Sequence, residues 1–98
     1  MSRSLVLRSV AKFEFDEATD WYEQRRVGLG AKFVAQVQRV LDRISEFPES
    51  YPIVHGDIHE TLVKRFPYAV YYRAEPTQVV VLAIIHTARN PATGQRRT

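Results

Sequence analysis

KRFPYAVYYRAEPTQVVVLAIIH, residues 64–86, carries the reading of the whole chain. Pro67 divides it once and Pro76-Thr77 divides it again, so strands are predicted over 58–66, 68–75 and 78–86. Both links are tight, which makes neighbouring strands antiparallel. Within 68–73, Tyr68, Val70 and Tyr72 share one face while Ala69, Tyr71 and Arg73 share the other. The run VVVLAII at 79–85 is apolar on both faces, as suits a strand in the middle of a sheet.

Working outward, residues 4–8 read as a short opening strand. Ser9 is the expected N-cap of a helix over about 10–26, on which Ala11, Phe15, Ala18 and Tyr22 recur at helical spacing beside Trp21. Gly28 offers the positive-φ residue that turns the chain. A second helix follows with the clearest stripe of all, Phe33, Val37, Val40, Leu41, Ile44 and Phe47, and Pro48 ends it. Residues 48–57, with two prolines and a glycine, read as a surface connection. The order strand, helix, helix, strand, strand, strand predicts a two-layer α+β fold, a helical hairpin over a mainly antiparallel sheet.

With 98 residues the chain has material for one domain and one modest core, and residues 92–98 read as a loose basic tail. No cysteine is present, so neither disulfides nor thiolate metal sites arise, as expected of a cytoplasmic protein. The longest apolar run is far short of the roughly 20 residues a membrane span requires. MSRSLVLRS has neither the length nor the cleavage site of a signal peptide.

Charge is unevenly spread. Residues 9–23 hold Glu14, Asp16, Glu17, Asp20 and Glu23 against Lys12 alone, whereas bases dominate from Glu60 onward. The uncovered side of the sheet would carry Tyr71, Arg73 and either Lys64 or Arg65, a surface suited to an anionic partner or simply to solvent. His86 and Arg89 close the last strand, where an imidazole is suited to proton transfer and a guanidinium to an anion. His55 and His59 flank Gly56 and Asp57 in a turn-like loop without a third ligand nearby, so no metal site and no cofactor is expected. Trp21, Tyr22, Leu29 and Phe33 cluster at the hairpin turn, either as core or as an apolar groove for a partner helix.

VAKFEFDEATDWYEQRRVGLGAKFVAQVQRVLDRISEFPESYP, followed by VKRFPYAVYYRAEPTQVVVLAIIHTARNP, resembles the RelE/ParE superfamily of bacterial type II toxin–antitoxin toxins, over about residues 5–91. The resemblance implies the fold just described. It also implies one of two activities: RelE-like members cleave messenger RNA on the ribosome, whereas ParE-like members poison DNA gyrase within modules associated with plasmid stabilisation. Ala69 stands where RelE-like chains carry a catalytic arginine, and the tail ATGQRRT holds neither tyrosine nor histidine. The ParE branch is therefore the expectation, with Arg73, His86 and Arg89 as the catalytic set of the ribonuclease alternative. A cognate ParD-like antitoxin is implied as partner in a toxin–antitoxin hetero-oligomer. It would lie on Trp21, Tyr22, Leu29 and Phe33 and pair its acids with Lys64, Arg65, Arg73 and Arg89.

Overall fold

The structure, a computed structural model, describes residues 2–88. Strand β1 (Ser4–Leu7) leads into helices α1 (Ser9–Arg25) and α2 (Leu29–Glu46), then strands β2 (Ile53–His55), β3 (Ile58–Leu62), β4 (Tyr68–Ala74) and β5 (Gln78–His86). The sheet runs β1-β5-β4-β3-β2, with β1 parallel to β5 and the other neighbours antiparallel. The helical hairpin covers one face, and the expected two-layer α+β architecture is what forms.

Two details of the hairpin explain the GLG of residues 28–30. Gly28 takes φ 89°, the left-handed conformation that lets α1 turn directly into α2. A Cβ on Gly30 would sit 2.9 Å from the Thr19 carbonyl oxygen, so the helices approach this closely only over glycine. α2 has no side-chain cap of its own. Instead Glu23, near the end of α1, accepts the Gly28 and Gly30 amides at 2.9 Å each, placing a carboxylate on the positive end of α2. Ser9 is not the N-cap expected from sequence. Arg8 holds that position without a capping bond, and Ser9 is already helical.

The core lies between hairpin and sheet. Ala11, Ala18 and Tyr22 of α1 and Phe33, Val37, Leu41 and Ile44 of α2 pack on Tyr68, Val70, Tyr72, Val79, Val81 and Ile84. Tyr22, Phe33, Phe66 and Tyr68 form an aromatic cluster with ring centroids 4.9–6.1 Å apart. β5 is central, and it reaches the core by a bulge. Tyr71 faces Ala83 but Tyr72 faces Val81, leaving Leu82 without a partner. The extra residue reverses the alternation, so Val79 and Val81 before it and Ile84 after it all point to the helices. That reversal is why VVVLAII cannot be apolar on one face only.

Two sequence expectations are corrected. Residues 53–55, read as loop, add a fifth strand against β3. β3 stops at Leu62 instead of continuing to 66, because Lys64 and Arg65 form a turn in which Arg65 takes φ 70°.

Candidate functional site

Alternation along β4 delivers the expected division. Tyr68, Val70 and Tyr72 are buried under the hairpin, while Tyr71 and Arg73 face the uncovered side of the sheet. Both exposed-side groups are held in place. The Tyr71 hydroxyl donates to Glu60 Oε2 at 2.7 Å across the β3–β4 pair. Arg73 Nε lies 3.1 Å from Asp57 Oδ2. The ion pair keeps the guanidinium beside Asp57 on this face, and an arginine can engage an anionic group of a partner through more than one N–H.

Around Tyr71 and Arg73 the sheet forms a depression of about 310 Å³, completed by Arg8, His55 and apolar Ile58 and Leu82. Arg8 and His55 belong to this surface, but the sequence did not single out Arg8 and weighed His55 only as a metal ligand. Arg8 arrives because β1 runs parallel beside β5, a pairing no local pattern encodes. His55 arrives with β2, for which the β-branched pair Ile53-Val54 between Pro52 and Gly56 was the available signal.

His86 does not join this surface. It pairs with Tyr68, shares the helix-side face, and packs edge-on to the Tyr68 ring at 5.1 Å. Its Nδ1 accepts the Ala88 amide at 3.1 Å, which leaves the proton of the neutral ring on Nε2. Arg73 pairs with Val80, five positions further along β4 from Tyr68, or about 17 Å at the usual rise per residue. Arg73 and His86 therefore lie on opposite faces and near opposite ends of the strand pair. Arg89 lies outside the described residues.

Lys64 and Arg65 are exposed in the β3–β4 turn, so the strand alternation expected for them does not apply. Lys64 instead borders a groove beside α2 with Arg39 and Arg43. The hairpin cluster resolves towards core. Phe33 is fully buried and Tyr22 is 8% exposed, because both fill the aromatic cluster against Phe66 and Tyr68. Leu29 packs on the same core, and Trp21, 39% exposed, carries the Arg25 guanidinium 4.3 Å from its ring centroid. Tyr22 and Phe33 cannot line an open groove. His59 is likewise structural: its Nδ1 donates to the Tyr51 carbonyl at 2.8 Å and its ring stacks on Tyr72. Among the described residues no three His, Asp or Glu side chains converge as metal ligands, and no helix is long and apolar enough to cross a membrane.

A hairpin over one face of a five-stranded sheet, with an arginine and a tyrosine on the other, defines a small two-layer α+β domain. Over residues 5–91 the chain matches the family of the ParE toxin of the type II toxin–antitoxin system parDE, and it belongs to that family. Among solved structures it is similar to one titled the chromosomal ParDE TA system from P. aeruginosa. The TM-score is 0.62 at 16% identity, covering 87% of this chain and 96% of that one. No curated protein sequence matches it.

Proposed function

We propose that this ParE-family toxin disables DNA gyrase by binding it, using the uncovered sheet face as the contact surface, and that its antitoxin neutralises it in a cytoplasmic hetero-oligomer. The observation that carries this reading is the separation of the polar groups. Phosphodiester cleavage needs a base, an acid and a cation around one phosphate. Here Arg73 and His86 occupy opposite faces, and the open face between its margins is apolar: Ala69 pairs there with Ile85 and Leu62. Such a surface, with a fixed arginine and tyrosine beside an apolar floor, has the composition of a protein-binding hot spot. Ribosome-dependent RNA cleavage by Arg73 and His86 acting together fits this geometry less well.

Purified gyrase, relaxed plasmid and ATP, with and without the toxin, provide the test. Inhibited supercoiling or trapped cleavage complexes is the expected result. Folded toxin that leaves gyrase unaffected, yet cuts ribosome-bound messenger RNA in a manner lost in His86→Ala, would establish the opposite reading.

A further inference from the structure

The bulge in β5 shapes the open face as well as the core. It leaves Leu82 without a partner and turns Leu82 and Ala83 together to the uncovered side, two successive residues of one strand on one face. A bulge also bends its strand and increases the local twist, which hollows the sheet at this point. The Arg8 amide donates to the Val81 carbonyl at 3.0 Å, one bond beyond the last β1–β5 pair, and so holds the Arg8 backbone beside the bulge. The resulting hollow of about 310 Å³ draws on β2, β3, β4 and β5 and on the residue that follows β1. From Arg8 to His55 it crosses four strand spacings, about 19 Å.

Its floor is apolar, made by Ile58, Leu82 and Ala83, and its polar groups stand around that floor. Asp57 is engaged by Arg73, and Glu60 accepts from the Tyr71 hydroxyl. Arg8 is exposed and, among the described residues, pairs with no carboxylate. Two occupants are poorly served by this layout. A DNA backbone asks for a row of cations, and here the cations are parted by the floor. A second copy of this chain would set Arg8 and Arg73 against themselves. An acidic protein segment meets both halves of the hollow, because an apolar side chain can fill it while a carboxylate answers the arginine at its rim.

Resting on the reading that gyrase is the target, we infer that this hollow receives, from a surface segment of a gyrase subunit, one bulky apolar side chain adjacent to an Asp or Glu. The apolar group seats on Leu82 and Ile58, and the carboxylate pairs with Arg8. Arg8 and Leu82 thereby join Arg73 as contact residues. Their placement depends on the bulge and on the parallel β1–β5 pair, which bring a cation and an apolar floor side by side.

The test titrates the full chain against intact gyrase, once free of DNA and once carrying plasmid. Wild type is expected to bind both forms with similar affinity. Arg8→Glu, a change at an exposed position, should weaken binding to DNA-free gyrase about ten-fold at low salt, with the loss shrinking as salt rises. Leu82→Ala, which removes part of the floor, should weaken it about five-fold at every salt concentration. Binding that appears only when plasmid is present would make the occupant a phosphate backbone, overturning the acidic segment while leaving gyrase as the target. Wild-type affinity in Arg8→Glu, or in folded Leu82→Ala, overturns the hollow as the seat of that segment. A wild-type chain that binds neither form overturns the gyrase reading and this inference with it.

Discussion

Tyr72 and Arg73 are neighbours in the chain and look out on different worlds. Tyr72 is fully buried beneath the hairpin, its hydroxyl donating to the Pro48 carbonyl at 2.6 Å and its ring stacked on His59. Arg73 faces the uncovered side, paired with Asp57. Among the described residues the covered face contributes the core and buries no lysine or arginine, whereas the open face contributes cations and an apolar floor. What holds the fold and what meets a partner are thus interleaved residue by residue along one strand. Substitutions on the two faces should separate stability from activity almost completely.

The largest effect is expected at Phe33, which touches Phe15, Tyr22, Phe66 and Tyr68. Phe33→Ala should cost about 3–5 kcal/mol, since its four aromatic neighbours cannot all collapse into the space it leaves. On the open face Leu62→Ala should change stability by less than about 0.5 kcal/mol. Urea unfolding followed by circular dichroism compares them, and equal losses would erase the distinction between the faces.

Next comes Tyr72→Phe, which leaves the Pro48 carbonyl without its donor and should cost about 1–3 kcal/mol. Burial, reinforced by the nearby Tyr51 hydroxyl, pushes the Tyr72 phenol up to about 12. An unfolded tyrosine titrates near pH ~10, so between these values the unfolded chain holds fewer protons than the native one. Stability from this group is complete below about pH 10 and drains away as pH rises towards 12. Melting temperature measured from pH 8 upward should fall more steeply in wild type than in Tyr72→Phe. Parallel curves would place the titration elsewhere.

How much of this was legible beforehand follows from the range of each signal. Periodicity is local, and it placed Phe33, Val37, Leu41 and Ile44 on one helical face and split Tyr72 from Arg73 correctly. The bulge at Leu82 is not local: it depends on which residue of β4 faces which of β5, so the face of His86 was beyond the reach of alternation. The same limit hid Arg8, which reaches the open face only because β1 runs parallel to β5. Gly30 carries no local signal of its own, and its reason is the Thr19 carbonyl across the hairpin. Trp21, Tyr22, Leu29 and Phe33 were correctly seen as a cluster. Composition could not say whether a cluster of aromatic residues is covered, and Phe66 and Tyr68 cover it.

The smallest structural effect belongs to Arg73→Ala, and it is the most telling about function. Its ion pair with Asp57 is partly exposed, so its loss should cost less than about 1 kcal/mol. Gyrase inhibition should nevertheless weaken at least ten-fold, because a guanidinium held beside the apolar floor is lost from the proposed contact. Asp57→Asn sharpens the point. It keeps the arginine and its charge but removes the carboxylate that orients it, so inhibition should fall part of the way, more at equilibrium affinity than at association rate. If both variants inhibit gyrase as wild type does while remaining folded, the open face is not the contact surface. The division between Tyr72 and Arg73 would then be one of burial alone.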